Sequence, residues 1–432
     1  MQPILLRDID ASADSSLDAY LHEGGYQAWA QISKNQSAER LIDIIEEAGL
    51  RGKGGAGFPA HRKMRLMLAQ SAEKKFLIIN GSEHEPGSLK DRFLLEHNPH
   101  RVLEGALLSA RAVKASDVVV AINEASVESV QQFLRALNSA QCDSRIDFAG
   151  ITVTVQTVPD IYIVGEESAL LEVLEGKKPL PRKKPPFPIQ QGLHGFPTLI
   201  HNVETVAHLP FIASAGAAAY RNLGINGQGV TLCTLGDEFV RPGVYEVPLG
   251  TPIDELLSRW GGGLRGGLRI KAIQPGGPSA GFLMASQLNL PLDADVLQAH
   301  GSALGCAVIK AYSDQDCMVH EIGQIMHFFS HGSCGQCPRC RMETNMLDTI
   351  VRQILSGKGN WKLVAQIDNV IGLAKGEGIC SLITMPVAPV QTGLKYFREE
   401  FAAHIDHQCP ICTARRDDGG NASKNHASHA AV

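Results

Sequence analysis

"HGSCGQCPRCR", residues 331–341, places three cysteines at a constant spacing of three residues. Cys334, Cys337 and Cys340 form the pattern C-x2-C-x2-C, with which one short segment can bind three corners of a cubane iron–sulfur cluster. Zinc sites usually separate their C-x2-C pairs by a long loop. The run therefore favours a [4Fe–4S] cluster in the C-terminal part of the chain.

The fourth ligand of this cluster is left open by the spacing. Thr344 stands where a bacterial ferredoxin would have its fourth cysteine. Cys380, in "KGEGICSL", follows a glycine-containing turn that could return it to the cluster, and Cys409 and Cys412, in "CPIC", are the competitors. The alternatives to the cluster are a structural zinc ion that uses these two cysteines and the absence of any metal.

Length and composition indicate a multidomain globular protein. The chain has 432 residues, 44% of them hydrophobic and 20% charged, with a formal net charge of −5. No basic excess suggests a nucleic-acid partner. The first residues lack a secretory leader, and no apolar run reaches the length of roughly 18 residues that a membrane span needs. We therefore expect a cytoplasmic protein without direct membrane insertion, in which the single cysteines Cys142, Cys233, Cys306 and Cys317 are core residues.

The first half of the chain alternates β-branched runs with helical patterns. "KKFLIIN" (74–80), "DVVVAI" (117–122) and "ITVTVQTV" (151–158) read as strands, and "RVLEGALLSARAV" (101–113) as a helix. This alternation is typical of an α/β domain, which we place at residues 1–225.

The residue pattern changes twice in the second half of the chain. Short apolar runs broken by glycine predict a small α+β domain over residues 226–315. Apolar residues at helical spacing, such as Leu347, Ile350, Val351 and Ile354, predict a helical bundle over 316–405. Residues 406–432 contain few large apolar groups and are predicted to form a flexible tail.

A glycine-dense loop follows the helical pattern of residues 37–48. "GKGGAG" (52–57) satisfies G-x-G-x-x-G, but the Rossmann fingerprint needs a strand before its first glycine. The ordinary fingerprint is therefore rejected. Gly52, Gly54, Gly55 and Gly57 still allow the backbone to approach a ligand closely and to direct several N–H groups at one anion, with a tight structural turn as the alternative.

Two acidic stretches follow predicted strands. "NGSEHEPGSLKDR" (80–92) and "YIVGEESALLEVLEG" (162–176) both place carboxylates where the ligands of open α/β sheets bind. Glu166 and Glu167 also lie in the first turn of a predicted helix, where the helix dipole favours acids. That structural role accounts for one glutamate better than for two.

With these motifs assembled, the chain resembles the flavin-binding, NADH-oxidising subunit of respiratory complex I, the 51 kDa type. The same family includes diaphorase subunits of NAD-linked hydrogenases and formate dehydrogenases. The resemblance covers about residues 15–405 and rests on "GLRGKGGAGFP", "EPGSLKDR", "YIVGEESALLEVLEG", "KPPFP", "HNVET", "SCGQCPRCR" and "GICSL", in the family's order. It implies a Rossmann-like domain for FMN and NADH, a ubiquitin-like (β-grasp) domain and a four-helix bundle with one [4Fe–4S] cluster.

The resemblance also implies roles for individual residues. Cys380 matches the fourth cluster ligand, beside Cys334, Cys337 and Cys340. Glu85 and Glu167 match catalytic positions of the family, around the polar parts of NADH. The remaining cofactor-binding positions are Gly52, Gly54, Gly55, Gly57, Phe58, Lys63, Asn80, Glu83, Tyr162, Gly165, Glu166, Lys184, Phe187 and Asn202.

Several positions near the implied cofactors depart from the family's pattern. The family usually has an aspartate at Ser82, an asparagine at His201, an aromatic residue near Leu66 and small residues near His84 and His61. These departures bear on nucleotide preference and on flavin potential.

The function implied is that of an NADH dehydrogenase subunit. Hydride passes from NADH to FMN, and single electrons continue to the cluster and to partner subunits. The implied partners are a thioredoxin-like [2Fe–2S] subunit and a further iron–sulfur subunit, through which the chain could associate with a membrane. The alternatives are a subunit that has lost its flavin and keeps only the cluster, or a diaphorase that reduces NAD with electrons from formate or hydrogen.

Overall fold

The structure is a computed structural model that describes residues 3–6, 15–35 and 38–412. Contacts divide the chain into two compact units. The first comprises Met1–Pro179, Lys184–Thr234 and Gly243–Thr251, and the second Leu180–Lys183, Leu235–Pro242 and Pro252–Val432. These units do not separate the three predicted domains, whose boundaries stay predictions. Of the predicted tail, residues 413–432 lie outside the described residues.

The first unit contains the α/β domain. Its helices are α1 (Leu17–His22), α2 (Gln27–Asn35), α3 (Ala38–Ala48), α4 (Ala60–Leu68), α5 (Lys90–His97), α6 (Pro99–Val113), α7 (Val127–Cys142), α8 (Glu167–Leu174), α9 (Val203–Ala207), α10 (Leu209–Ala215) and α11 (Ala217–Arg221). Its strands are β1 (Phe76–Gly81), β2 (Asp117–Asn123), β3 (Thr152–Val158), β4 (Thr198–Asn202), β5 (Val230–Leu235, up to Thr234 in this unit) and β6 (Gly243–Pro248).

A parallel sheet with the strand order β3-β2-β1-β4 forms the centre of this unit. Leu77, Ile79 and Leu199 point to one face, where they join a core with α6. Ile78 and Ile200 point to the other face, where they pack with residues of α8. Both faces are therefore covered, as parallel sheets require, and the α/β prediction is confirmed.

The second unit contains a small antiparallel sheet and the helical bundle. Its strands are β7 (Ile270–Gln274), β8 (Leu283–Met284) and β9 (Val308–Ser313), and β7 pairs antiparallel with both others. Its helices are α12 (Ile253–Glu255), α13 (Ala294–Ala299), α14 (Met318–Gly332), α15 (Pro338–Leu355), α16 (Trp361–Val364), α17 (Gln366–Ala374), α18 (Val387–Tyr396) and α19 (Arg398–Ile405).

The apolar face predicted for residues 347–354 is buried along α15. Leu347, Val351 and Ile354 are fully enclosed, and Ile350 is nearly so. The helical prediction for this region is therefore confirmed. In the part of the chain that the structure describes, no helix combines the length and the apolar character needed to cross a bilayer.

Helices α6 and α9 approach each other so closely at Gly105 that a side chain does not fit. A Cβ atom added there would lie 2.0 Å from the carbonyl oxygen of Val206. We predict that Gly105→Ala lowers the free energy of unfolding by about 1–3 kcal/mol, because backbone would have to move to relieve the overlap. Urea unfolding, with hydrogen exchange read on α6 and α9, measures the effect.

Gly372 on α17 provides the matched control. Like Gly105 it lies within a helix, but it is exposed, and a Cβ added to it meets nothing within 4 Å. Gly372→Ala should raise stability by roughly 0.5–1 kcal/mol through helix propensity alone. Equal effects of the two substitutions would contradict the close approach of α6 and α9.

Candidate functional site

The strand order creates a switch point between β1 and β4. Strands β2 and β3 follow to one side of β1, whereas β4 lies on its other side. Ligands of open α/β sheets bind outside the carboxyl ends of the strands at such a point. Asn80, at the end of β1, is paired with Asn202, at the end of β4. Two amide side chains therefore flank the expected ligand position.

The glycine loop lies directly over Asn202. Its base is closed by a hydrogen bond from Gly52 N to the carbonyl oxygen of Phe58, 2.9 Å long, and Lys53 N donates to Thr205 Oγ1 at 2.9 Å. A Cβ added to Gly54 would lie 3.3 Å from Cβ of Asn202. The loop thus connects α3 to α4, as the rejection of a strand-led fingerprint required, and brings bare backbone to the switch point.

A buried ion network holds Asn202 in place. Lys90 Nζ lies 2.7 Å from Asp91 Oδ1 and 3.1 Å from Glu204 Oε2, and it donates to Asn202 Oδ1 at 3.1 Å. Asn202 Nδ2 donates to Asp91 Oδ2 at 2.5 Å. Burial alone would favour the neutral acid, but Lys90 and His208 hold the pKa of Glu204 well below its ordinary value. Burial raises the pKa of Asp91, although the neighbouring Lys90 opposes this shift.

Glu83 is occupied by the structure of the acidic stretch itself. Its carboxylate accepts hydrogen bonds from Asp91 N at 2.8 Å, Arg92 N at 2.7 Å and Ser88 Oγ at 2.7 Å. It therefore satisfies N–H groups at the start of α5. A cofactor contact at Glu83 would have to use its backbone, which has φ = 44°.

Glu85 contrasts with Glu83 because one of its oxygens is left without a partner. Tyr162 OH donates to Glu85 Oε2 at 3.2 Å, whereas Oε1 is buried and accepts no hydrogen bond within the described residues. Burial raises the pKa of Glu85 to about 7. An unsatisfied buried oxygen of this kind is expected where a ligand supplies the missing partner.

Glu166 and Glu167 divide between a structural and an open position. Glu166 is the N-cap of α8, and its Oε2 accepts from Ser168 N at 2.8 Å and from Ala169 N at 2.9 Å. Glu167 instead forms ion pairs with Lys63 at 3.1 Å and Lys184 at 2.6 Å. Although burial opposes ionisation, these two lysines hold the pKa of Glu167 below its ordinary value. The expectation that the helix dipole accounts for only one of the two acids agrees with this division.

Two aromatic side chains stay exposed beside these groups in the sequence. Phe58 is 43% exposed and Phe187 is 51% exposed, so neither is a core residue. Asn80 Nδ2 donates to the carbonyl oxygen of Gly165 at 3.3 Å, which ties the end of β1 to the turn that carries Tyr162. The predicted cofactor positions at the strand ends and in the glycine loop are thus linked by contacts within one unit.

The residues that depart from the family's pattern leave this arrangement intact. Ser82 is buried, and its Oγ donates to Asn80 Oδ1 at 2.7 Å. His201 alternates with Asn202 along β4 and so points to the opposite face, where its Nδ1 lies 3.5 Å from Ser109 Oγ on α6. His84 Nδ1 lies 3.1 Å from Asp160 Oδ1, and burial lowers the pKa of this histidine.

Two further departures lie on α4. His61 lies 3.5 Å from a carboxylate oxygen of Glu46 on α3, and the side chain of Leu66 is 54% exposed. The bare backbone of Gly54, the polar strand ends at Asn80 and Asn202 and the unsatisfied Glu85 oxygen fit a polar, ring-bearing cofactor such as FMN.

Three of the predicted cluster cysteines lie just before α15 or in its first turn. Cys337 directly precedes this helix, and Cys340 is buried in its first turn. Ile379 N donates to Cys337 Sγ at 3.4 Å, which brings the neighbouring Cys380 close to the same loop. Four thiols in this arrangement fit a [4Fe–4S] cluster. The tail cysteines Cys409 and Cys412 are grouped instead with Cys317 and His404, which motif spacing did not indicate.

Comparisons with known proteins agree with this division of the chain. A family model described as the Nuo51 FMN-binding domain matches residues 45–210. The SLBB domain matches residues 236–283, within the predicted ubiquitin-like domain. The NADH-ubiquinone oxidoreductase-F iron-sulfur binding region matches residues 320–404, which include the four predicted cluster cysteines.

Whole-chain relatives extend the similarity over nearly the full length. An F-type subunit of the NADH-quinone oxidoreductase of Rhizobium meliloti (strain 1021) is 35% identical over 95% of this chain and 99% of that protein. The F-type subunit of the Escherichia coli (strain K12) NADH-quinone oxidoreductase is 34% identical over 93% of each. A crystal structure of an NAD+-reducing [NiFe]-hydrogenase in the H2-reduced state has a TM-score of 0.82 and 27% identity, over 94% of this chain and 71% of that one.

The cap on α8 yields a test of the two neighbouring acids. We predict that Glu166→Ala destabilises the protein by about 0.5–2 kcal/mol, because two N–H groups at the helix start lose their acceptor. Glu167→Ala should cost at most about 1 kcal/mol, since its ion pairs with Lys63 and Lys184 are partly exposed. Thermal unfolding of both variants decides, and an equal loss in both would refute the capping role.

Proposed function

The chain belongs to the family of F-type subunits of NADH-quinone oxidoreductase, and from this membership we propose how its own residues serve the reaction. It is an NADH dehydrogenase subunit that uses FMN, NAD(H) and one [4Fe–4S] cluster. Bound FMN supplies the chemistry that accepts hydride from NADH and releases single electrons toward the cluster and partner subunits. No acid–base pair or protein nucleophile is needed for these steps.

We propose that the switch point between β1 and β4 holds the flavin. The observation that carries this assignment is the position of Gly54 over Asn202, because it brings bare backbone to the carboxyl end of the sheet. Asn80 and Asn202 line the floor of the proposed site at the strand ends, and the Lys90 network keeps Asn202 in one rotamer beneath the glycine loop. Gly52, Gly55, Gly57, Lys63, Tyr162, Gly165 and Glu166 complete the proposed flavin side.

The dinucleotide side is proposed to consist of Phe58, Phe187, Glu85, Glu167 and Lys184. The rings of Phe58 and Phe187 are exposed to water, which is unfavourable for apolar surface. A bound adenine could stack on them and cover this surface. Glu85 offers an unsatisfied oxygen to a polar group of the ligand. Acids at this place also disfavour the extra phosphate of NADPH through like-charge repulsion.

We propose Cys334, Cys337, Cys340 and Cys380 as the cluster ligands. The contact between Ile379 N and Cys337 Sγ supports the choice of Cys380 as the fourth. Thiolate ligands need reduced cysteines, which fits a cytoplasmic location, with membrane association only through partners.

The chain's relatives are subunits of larger assemblies, and we propose that this chain also passes its electrons to partners. A thioredoxin-like [2Fe–2S] subunit and a further iron–sulfur subunit are the proposed acceptors. The same residues serve NADH oxidation and NAD+ reduction, because the hydride follows one path in both directions. The likeness to an NAD+-reducing hydrogenase supports reduction of NAD+ as the second candidate.

The raised pKa of Glu85 provides a test of the proposed dinucleotide site. With ferricyanide as acceptor, the KM for NADH should rise about tenfold between roughly pH 6 and pH 8, because the neutral carboxyl of Glu85 becomes an anion beside the negatively charged dinucleotide. Glu85→Gln should remove this dependence, since its side chain stays neutral. Steady-state kinetics over the pH range, together with FMN content, measures both.

Glu128, an exposed acid on α7, is the matched control for this experiment. Glu128→Gln should keep the wild-type pH profile. A pH-dependent KM that persists in Glu85→Gln would refute the role of Glu85, and flavin-loaded protein that does not oxidise NADH would contradict the proposed function as a whole.

The proposed cluster ligands predict iron content. Cys380→Ser should lose most of the iron and the visible absorption of the cluster while it retains FMN, because ligand loss at one corner exposes the cubane. Cys142 serves as the control, and Cys142→Ser should retain both cofactors. The expectation that Cys142 is a core residue is wrong, because it is exposed at the C-terminal end of α7. Iron and flavin analysis of anaerobically purified protein is the measurement. A full cluster in Cys380→Ser would assign the fourth ligand elsewhere.

A further inference from the structure

A second group of metal-binding side chains lies at the end of the helical domain. Cys317, His404, Cys409 and Cys412 each offer one ligand atom, and these four atoms all lie within 4.8 Å of one another. Three of the four residues lie outside the matched iron-sulfur region, residues 320–404, and His404 is its last residue. The group is therefore distinct from the proposed cluster ligands.

The distances within this group suit one tetrahedral ion. His404 Nε2 lies 3.1 Å from Cys317 Sγ and 3.8 Å from Cys412 Sγ, and the sulfur atoms of Cys317 and Cys409 are 4.0 Å apart. A tetrahedral Zn²⁺ with Zn–S of about 2.3 Å and Zn–N of about 2.0–2.1 Å separates two sulfurs by about 3.8 Å and a sulfur from a nitrogen by about 3.5 Å. The observed S–N distances, 3.1 and 3.8 Å, lie on either side of the S–N separation expected around zinc. The observed S–S distance of 4.0 Å is close to the expected S–S separation.

A disulfide bond and a second cubane cluster both fit this group less well. A disulfide bond has an S–S length of about 2.05 Å, roughly half the distance between Cys317 and Cys409. A cubane cluster binds each thiolate to a different iron, which spreads the sulfurs further apart than a single ion does. Among the described residues, Cys334, Cys337, Cys340 and Cys380 do not form a group within 4.8 Å, as expected for cluster ligands.

The chemistry of the ligands selects zinc. Three thiolates and one imidazole form the Cys3His set of closed structural zinc sites, and no open position is left for substrate. Cys317 is 1% exposed, and His404 and Cys409 are 6% exposed each, so the ion would be shielded from water. Cys409 and Cys412 also have the C-x2-C spacing with which one turn of chain supplies two zinc ligands.

We propose that Cys317, His404, Cys409 and Cys412 bind one structural Zn²⁺ that fastens the two ends of the helical domain together. Cys317 directly precedes α14, and His404 lies in the last turn of α19. Cys409 follows Cys317 by 92 residues, so the ion closes a long loop of chain. Closing such a loop reduces the freedom of the unfolded chain and stabilises the domain. Zinc has no redox chemistry and thus stays outside the electron path.

Metal analysis of the purified full chain tests the site independently of NADH oxidation. Elemental analysis should find about one zinc for every four iron atoms. Cys409→Ala combined with Cys412→Ala should lose the zinc and keep the iron, whereas Cys380→Ser should do the reverse. Cys142→Ser, the control, should keep both metals. Zinc that is absent from iron-loaded wild-type protein, or iron in its place, would overturn the proposal.

Two measurements keep the test decisive if the double variant does not fold. X-ray absorption at the zinc edge reads only zinc, and it should show three sulfur ligands at about 2.3 Å and one nitrogen at about 2.0–2.1 Å in the wild type. His404→Cys should retain zinc with four sulfur ligands. A zinc ion coordinated only by oxygen and nitrogen, unchanged in His404→Cys, would be adventitious and would refute the assignment.

Discussion

The buried ammonium of Lys90 is the constraint on which the proposed flavin site depends. Lys90 is 1% exposed, and a charge in such a place is stable only with a matched counter-charge and full hydrogen bonding. Asp91 and Glu204 both lie within ion-pair distance of its Nζ, and Asn202 Oδ1 accepts a further hydrogen bond from it. Because Lys90 and Asp91 begin α5 while Asn202 and Glu204 begin α9, the network fixes both helix starts at the carboxyl end of the sheet. The glycine loop rests on Asn202 and is positioned by the same contacts.

The local patterns predict much of the fold and little of how the site is held. Strands β1, β2 and β3 lie where the β-branched runs placed them, and α3 precedes the glycine loop as its apolar spacing indicated. Strand β4 escapes local prediction, because its five residues follow a glycine- and proline-rich stretch and end in polar side chains. Since the switch point lies between β1 and β4, its position could not be read from local periodicity. Pairing of distant strands is a tertiary property.

Four glutamates of two similar motifs have different tasks, which follow from their surroundings. Glu83 and Glu166 accept hydrogen bonds from N–H groups at helix starts, which occupies their carboxylates. Glu167 meets two lysines, and Glu85 keeps an oxygen without a partner. Sequence motifs predict acids at strand ends, but only the geometry shows which carboxylates are hydrogen-bonded to a helix start, which is paired with lysines and which keeps an oxygen without a partner within the described residues. The family resemblance by itself assigns all four to ligand binding.

Close spacing of ligands in the sequence predicts the iron–sulfur cluster but not the proposed zinc site. The cluster cysteines reveal themselves because Cys334, Cys337 and Cys340 share one short segment, whereas Cys317 and His404 occur singly and only the pair Cys409 and Cys412 gives a local signal. This difference follows from the tasks of the two sites. A cluster that transfers electrons can take most of its ligands from one loop of a stable domain, while an ion that stabilises the domain gains most by joining residues far apart in the chain. Cys317 lies just before α14, whereas Cys409 and Cys412 follow α19, so the proposed ion joins the two ends of the helical domain. A single cysteine that looks like a core residue can therefore be a metal ligand whose partners lie far away in the sequence.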